Sequence, residues 1–266
     1  MALHVEQYGD VTRLRMTSPG SRMVGLDVSA YIVRGVMVDT GFHHARSALM
    51  EALDTFDVRG AIITHWHEDH AGNAALLARR GLPIVARADT ETTLRERPNV
   101  QLYRRVVWGR PPALASPIHS FEHRGLRGVH TPGHTSDHQV VWDEETGTLF
   151  SGDLWLGVRS RIIHRSEDPY RIIGSLRVAL GLAPQRMFDA HRGLVEHPAR
   201  ALQSKIDWLS EMLGTIERRI AAGATDRAIV REVLGGEEAA GIVSLGDYSR
   251  RNLVAAVRTR VESRRA

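Results

Sequence analysis

The sequence contains no cysteine and only one lysine, Lys205, among its 266 residues. Without cysteine, disulfides, thiolate metal sites and a cysteine nucleophile are all excluded, so any metal must be held by imidazole and carboxylate groups. Almost all basic residues are therefore arginine, and they are spread along the whole chain. We expect a small-molecule substrate and no nucleic-acid partner, because a nucleic-acid site needs a localised basic surface.

Long apolar runs are also missing. No segment approaches the roughly 18 to 20 apolar residues that span a bilayer, and residues 1–16 lack the apolar core of a secretion signal. We therefore expect a cytoplasmic protein with no membrane partner. Hydrophobic residues make up 42% of the chain and charged residues 25%, which is ordinary for a globular protein with one large domain.

The apolar pattern alternates between strands and helices. Short β-rich stretches run from Val11 to about Val38 and predict a meander. Further strands are predicted over 60–65, 83–88, 116–122, 126–133, 139–143, 148–153 and 186–191, and helices over 44–55, 71–80, from about Thr90, and over 169–181. This alternation favours an α/β layered fold.

The chain after residue 198 is predicted to be helical. One long helix carries an apolar stripe at spacings of four and three, which is typical of a core-facing side: Leu202, Ile206, Leu209, Leu213, Ile216 and Ile220. Two more helices are expected, and 235–246 is interpreted as a mobile connection between them. We divide the chain into a catalytic domain, 1–198, and a helical extension, 199–266, packed on it as one structural unit. Homodimer formation is an alternative use of these helices.

The segment THWHEDHAG, residues 64–72, is the densest candidate site. It places four potential metal ligands within six residues, directly after an apolar strand: His65, His67, Asp69 and His70. Such a loop can direct two donors at one cation and two at a second, which a regular helix or strand would not allow. The motif therefore predicts two metal ions.

Three more polar residues follow predicted strands further along the chain. His134 stands in the turn TPGHT, Asp153 in SGD, and His191 in DAH. Taken alone, His134 or His191 would more often be a surface or hydrogen-bonded core histidine, and Asp153 a turn residue. Because all three stand at strand ends, we expect them to converge with the dense motif at one edge of a sheet.

These four separated motifs, in this order, resemble the metallo-β-lactamase superfamily. Asp39 in VDTG also resembles that family's early aspartate, which supports the metal loop without binding metal. The resemblance covers about residues 23–193 and implies an αββα sandwich, here with additional C-terminal helices, whose site lies along one edge of two facing sheets. It implies that one metal is held by His65, His67 and His134, the other by Asp69, His70 and His191, and that Asp153 bridges them.

The resemblance also implies a chemistry. Two zinc ions are the expected cofactors, although imidazole and carboxylate ligands also suit iron and manganese. A water bridging two cations loses its proton near neutral pH, and we expect Asp69 to hold or shuttle that proton as the catalytic carboxylate. The ligand Asp153 in its Gly-Asp motif is similar to that of the glyoxalase II and lactonase branches, which implies a thioester, ester or lactone substrate.

Other functions stay open at this point. They are phosphodiester or nucleic-acid hydrolysis, a mononuclear-iron dioxygenase of the persulfide type, β-lactamase-like amide hydrolysis, and a non-catalytic binding module. For contacts with the substrate we name Trp108, Arg159 and His164. Trp108 belongs to a candidate apolar lid, 103–112, and the other two to the segment 154–170 that follows Asp153. An arginine there can bind a substrate carboxylate through two hydrogen bonds.

Overall fold

The structure is a computed structural model that describes residues 2–97, 99–115, 121, 123 and 125–264. Its first sheet contains six strands in chain order from edge to edge: β1 (Ala2–Tyr8), β2 (Val11–Thr17), β3 (Val28–Val33), β4 (Val36–Val38), β5 (Gly60–Ile62) and β6 (Ile84–Val85). Neighbours from β1 to β4 are antiparallel, and β4, β5 and β6 are parallel. The predicted strand over 116–122 lies outside the described residues, Phe121 excepted.

Seven further strands follow along the chain: β7 (Leu126–His130), β8 (Gln139–Asp143), β9 (Thr148–Phe150), β10 (Ile163–His164), β11 (Arg186–Asp189), β12 (Gly193–Val195) and β13 (Tyr248–Ser249). Five of them form the second sheet, in the order β12-β11-β9-β8-β7, in which only β9 and β11 are parallel. Strands β10 and β13 form a separate antiparallel pair.

The described helices are α1 (Pro19–Met23), α2 (Arg46–Leu53), α3 (Ala74–Arg79), α4 (Ala88–Glu96), α5 (Leu102–Trp108), α6 (Pro169–Gly181), α7 (Pro198–Ala221), α8 (Asp226–Glu232), α9 (Ala239–Val243) and α10 (Arg250–Ser263). Helix α6 has the bounds predicted from the sequence. It begins at Pro169 behind the N-cap Asp168, whose carboxylate accepts hydrogen bonds from the backbone N–H groups of Tyr170 and Arg171.

Three apolar cores lie between the layers of the fold. The central core lies between the two sheets and contains the ring contacts of Tyr31, Phe150 and Phe188, whose centroids are 5.2 to 5.7 Å apart. A second core joins the outer face of the first sheet to α2, α3 and α5, and a third joins the second sheet to α6, α7, α8 and α10. The predicted αββα layering with added C-terminal helices is therefore confirmed.

Helix α7 buries the whole predicted stripe from Leu202 to Ile220 against the second sheet and α6. The prediction of a core-facing helix is confirmed, while the domain boundary at 198 stays a prediction. Within the described residues, none of the helices is both long and apolar enough to cross a bilayer.

Two elements differ from the sequence prediction. The C-terminal part contains four described helices where three were expected, because the short α9 lies inside the segment interpreted as a connection. That segment is held by the carboxylate of Glu237, which accepts hydrogen bonds from the hydroxyl of Ser249 and the backbone N–H of Arg250. Strand β1 was not predicted; it is an edge strand with a partly exposed face, so its apolar pattern is weak.

Candidate metal centre

The predicted ligands follow the carboxyl ends of strands that the two sheets bring to one edge. His65 follows β5, Asp153 follows β9 and His191 follows β11. Strands β9 and β11 are parallel neighbours, so the loops after them leave the sheet on the same side. His134 comes after β7, in the turn that leads to β8.

Glycine precedes two of these ligands for a steric reason. A β-carbon at Gly133 would lie 2.6 Å from the backbone nitrogen of Ile172 on α6, and one at Gly152 would lie 2.7 Å from Nε2 of His138. Both glycines also have positive φ angles, 140° and 51°. Only glycine allows the backbone to pass this close while aiming the next side chain inward.

One group of donors contains His65, His67, His134 and Asp153, all buried. Nδ1 of His67 lies 3.0 Å from Nε2 of His65 and 3.0 Å from Nε2 of His134. Oδ2 of Asp153 lies 3.3 Å from Nε2 of His134. Three ring nitrogens and a carboxylate oxygen therefore converge on one point.

A second group contains Asp69, His70 and His191. Oδ2 of Asp69 lies 3.6 Å from Nε2 of His191 and 3.9 Å from Nε2 of His70. Oδ1 of Asp153 lies 3.2 Å from Nε2 of both histidines. Asp153 therefore stands between the groups and directs one carboxylate oxygen at each.

Asp39 supports the loop that carries the candidate ligands His65 and His70. Its carboxylate accepts hydrogen bonds from the backbone N–H of Thr64 at 2.8 Å and from the Thr64 hydroxyl at 2.8 Å, and it lies 2.8 Å from Nδ1 of His70. The Thr64 hydroxyl also lies 3.0 Å from Nδ1 of His65. These contacts leave Nε2 of both imidazoles facing the other donors, as the supporting role predicted for Asp39 requires.

Two of the remaining three imidazoles are oriented from distant parts of the chain. Nδ1 of His191 donates to the backbone carbonyl of Asp27 at 2.8 Å. Nδ1 of His134 lies 3.2 Å from Oε1 of Glu167. In each ring the second nitrogen is thus engaged outside the centre, and Nε2 is directed into it.

The residues fit a divalent metal cluster. Nε2 of His70 and Oδ1 of Asp153 are buried and lie 3.2 Å apart without the geometry of a hydrogen bond, an arrangement that costs free energy unless a ligand satisfies them. Three ring nitrogens meeting at 3.0 Å cannot all be satisfied by shared protons, whereas one cation can accept a lone pair from each.

Electrostatics differ between the two groups. Burial lowers the pKa values of His65 and His67 well below the usual range, so both rings are neutral, the form that binds metal. Burial also opposes protonation of His70 and His191, but the Asp153 carboxylate outweighs it, aided at His70 by Asp39, and raises the pKa of His191 to about 9. The carboxylates of the second group therefore favour a positive charge beside them, which a bound cation can supply in place of the ring protons.

Sequence reasoning missed several residues that support the centre. His138 accepts a hydrogen bond at Nε2 from the backbone N–H of Asp153. Glu68, inside the dense motif, forms a buried ion pair with Arg104 of α5. Of these supporting residues, only Glu68 could have been suspected from the sequence, because it stands within the dense motif. No sequence pattern indicates the contacts made by Glu167 or by the backbone carbonyl of Asp27.

The centre opens into a cavity of about 940 Å³. His67, Asp69, His134, Asp153 and His191 form its floor. Of the predicted substrate contacts, Trp108 and Arg159 line the cavity. His164 is absent from its described lining.

His164 lies instead against another ring. Its centroid is 5.0 Å from that of Tyr248, and Nδ1 lies 2.7 Å from the hydroxyl of Ser166. The β10–β13 pairing places His164 opposite Tyr248. The structure therefore does not bring His164 to the candidate substrate cavity.

Comparison with known proteins gives a family match and similar sequences. Residues 23–170 match the model of the metallo-beta-lactamase superfamily. The beta-lactamase-like protein 2 homolog of Drosophila melanogaster is 29% identical over 220 residues, which are 73% of this chain and 70% of that protein. An atrochrysone carboxyl ACP thioesterase of Aspergillus fumigatus is 28% identical over 176 residues, 65% of this chain but only 51% of that protein.

Solved structures share the fold. A metallo-beta-lactamase family protein from Thermus thermophilus superimposes with a TM-score of 0.69 at 18% identity, covering 96% of this chain and 95% of that one. The DIM-1 metallo-beta-lactamase superimposes with a TM-score of 0.60 at 19% identity, covering 79% of this chain and 97% of that one. At these identities the likeness concerns the fold alone.

Proposed function

The chain belongs to the metallo-β-lactamase superfamily, and we propose that it is a dinuclear metal hydrolase acting on the carbonyl of a thioester, ester or lactone. The observation that carries the proposal is the placement of Asp153, with one carboxylate oxygen 3.3 Å from His134 and the other 3.2 Å from His70 and His191. A carboxylate placed between two donor groups can bridge two cations.

Each group is chemically suited to one cation. The first offers three imidazoles and the second offers two imidazoles and Asp69, with Asp153 shared between them. Imidazole and carboxylate donors suit zinc, and iron or manganese can also bind such a set. We propose zinc at both positions.

The side chains around the centre divide the chemical work. Bound metals would supply a coordinated water whose proton is lost near neutral pH. Asp69 lines the cavity beside His191, so its carboxylate is placed to hold and release a proton during hydrolysis. Tyr103, Val107 and Trp108 line the same cavity and exclude water from one side of the bound substrate.

The choice of a carbonyl substrate has two supports. One relative is named as a thioesterase that acts on an acyl carrier protein substrate. The cavity is also lined by many apolar side chains, including Leu154, Trp155 and Leu209, which suit an acyl group better than a polyanion.

Phosphodiester hydrolysis is the second candidate, because arginine lines part of the cavity. Arg161 lines it, is half-buried and has no ionic partner in the part of the chain that the structure describes. A guanidinium in this position can bind a phosphate or a carboxylate. Assays with a phosphodiester and with carbonyl esters would distinguish this function from the first candidate.

The first experiment combines metal analysis with a substrate panel. Purified protein is analysed for metal content and assayed with thioesters, lactones, a β-lactam and a phosphodiester. About two zinc ions per chain with turnover of carbonyl esters is the expected result. About one iron per chain without hydrolysis would replace this proposal with a dioxygenase.

Two histidine variants, one test and one control, accompany the metal analysis. We expect His134→Ala to lower the metal content, because its Nε2 faces the centre, and His4→Ala to leave it unchanged, because His4 is exposed on β1. Equal loss from both variants would show that metal binds to histidines non-specifically.

A further inference from the structure

Large apolar side chains are concentrated around one part of the protein surface. Among the described residues, eight of the eleven large hydrophobic side chains that are exposed lie in three short segments: 23–26, 102–106 and 242–245. We call these eight residues the apolar rim: Met23, Val24, Leu26, Leu102, Val106, Ile242, Val243 and Leu245. A contiguous exposed apolar surface is typical of a binding site, whereas isolated exposed hydrophobics are ordinary.

The three segments meet although they are far apart in the sequence. A β-carbon at Gly20 of α1 would lie only 3.0 Å from the Cα of Val107, so α1 and α5 pack closely. The hydroxyl of Tyr103 on α5 donates to the carboxylate of Asp247, which follows α9, at 3.3 Å. Packing and hydrogen bonding thus hold the three parts of the rim around α5.

The apolar rim is continuous with the cavity above the candidate metal centre. Each segment contributes residues to the cavity wall, among them Val24, Leu26 and Val243, and Val107 extends the wall from α5. The same cavity reaches the candidate ligand Asp153. Residues of the apolar rim and of the metal centre therefore border the same cavity.

The rest of the cavity wall carries large apolar side chains beside the charged Arg161 and Lys205. Trp155, Ile162, Ile172, Trp208 and Leu209 line it. The cavity, at about 940 Å³, has the size of sites that hold molecules larger than a short ester. This wall favours a substrate with an extended apolar part.

We propose that the apolar rim binds the acyl chain of the substrate, so that the protein prefers long-chain acyl esters or thioesters whose carbonyl lies at the metal centre. This inference rests on the proposed function. An acyl chain occupies the rim and the cavity together, with its reacting end at the floor. A membrane surface or a second copy of the chain seated on the rim would instead cover the opening of the cavity.

The test is a chain-length series on the zinc-loaded protein. We expect kcat/KM to rise by up to about fourfold for each methylene added, as apolar surface leaves water, until the rim is filled. The series runs from about four to about twelve carbons, a range over which a rising trend is readily measured. A flat profile with clear hydrolysis of the short esters overturns the inference and leaves the proposed function intact.

Two variants locate the effect. We expect Ile242→Ser and Leu245→Asn each to lower the ratio of kcat/KM for long over short esters by about fivefold or more, because each removes apolar surface from the rim. Asparagine is chosen at 245 because this residue has a φ of 53°, which asparagine tolerates.

Val178→Ser is the matched control. It also replaces an exposed β-branched residue on a helix, and Val178 belongs to α6 outside the rim and the described cavity lining. We expect it to keep the wild-type ratio; an equal fall in this variant overturns the inference.

Two other occupants are tested in parallel. The inference is overturned if Ile242→Ser keeps the chain-length profile of the wild type and the protein binds phosphatidylcholine vesicles. It is also overturned if Ile242→Ser keeps that profile and dissociates a dimer of the wild type. Failure of the proposed function has a different signature. In that case the zinc-loaded wild type hydrolyses no ester or thioester of any length.

Discussion

At the floor of the cavity, buried imidazole and carboxylate groups lie 3.0 to 3.3 Å apart, whereas at its mouth Leu102 and Ile242 expose about three quarters of their surface, 73% and 76%. Floor residues are oriented by hydrogen bonds from loops next to several strands. Residues at the mouth are held through their backbone and project apolar side chains. The floor is suited to defining atomic positions, and the mouth to removing apolar surface from water.

This difference predicts two classes of variant. Substitutions at the floor should change metal content and kcat, because they alter donors or the groups that orient them. Substitutions at the mouth should change KM or substrate preference with little effect on metal content. A floor variant that alters only KM would contradict this division between floor and mouth.

The largest effect is expected from Asp69→Asn. The amide cannot hold the proton that the Asp69 carboxylate is proposed to carry, so kcat should fall by about a hundredfold or more. Steady-state kinetics and circular dichroism measure activity and folding together. Asp57→Asn is the control, because Asp57 is exposed. Full turnover in a pure, folded Asp69→Asn preparation would refute the role of Asp69.

Asp39→Asn should have the next largest effect. The substitution keeps the shape of a side chain that contacts Thr64 and His70 but removes its charge, and asparagine tolerates the φ of 59° at this position. We expect metal affinity to fall by about tenfold to a hundredfold. Competition with a chromophoric chelator measures it. Unchanged affinity would mean that Asp39 does not orient the metal loop.

The burial of Lys205 predicts a pH dependence of the free energy of unfolding. Its ammonium group is buried, lines the cavity and donates to the backbone carbonyl of Trp155. Burial lowers its pKa from 10.5 to about 8. Between these pH values the unfolded chain binds more protons than the folded protein, so this group makes stability rise from about pH 8 towards pH 10.5.

Lys205→Met should remove that rise. We expect the free energy of unfolding of the wild type, relative to the variant, to increase by on the order of 2 kcal/mol across this interval. Urea unfolding at several pH values measures the difference. Parallel curves for the two proteins would show that Lys205 is not buried as an ammonium group.

The smallest effect is expected from Arg159→Ala. Arg159 lines the cavity but is exposed and has no ionic partner among the described residues. For a substrate with a carboxylate, we expect KM to rise by about threefold to tenfold, because exposed ion pairs contribute little. Arg200→Ala on α7, also exposed, is the control. Unchanged KM for Arg159→Ala would remove it from the substrate site.

Much of the fold and the floor could be predicted from the sequence because the signals are local. The stripe from Leu202 to Ile220 repeats at helical spacing, and α6 is bounded by Asp168 and Pro169. Four donors stand within six residues after β5. Elements without such a pattern, including β1 and α9, were missed because tertiary contacts stabilise them.

Tertiary structure decided how the ligands are oriented and what surrounds them. His191 is fixed by a carbonyl 164 positions away in the chain, at Asp27, and no local pattern signals that contact. The apolar rim likewise joins segments from both ends of the sequence. The sequence by itself determined which donors exist and that they follow strands. Their distances, their partners and the placement of the apolar rim depend on how distant segments pack, which residue spacing does not encode.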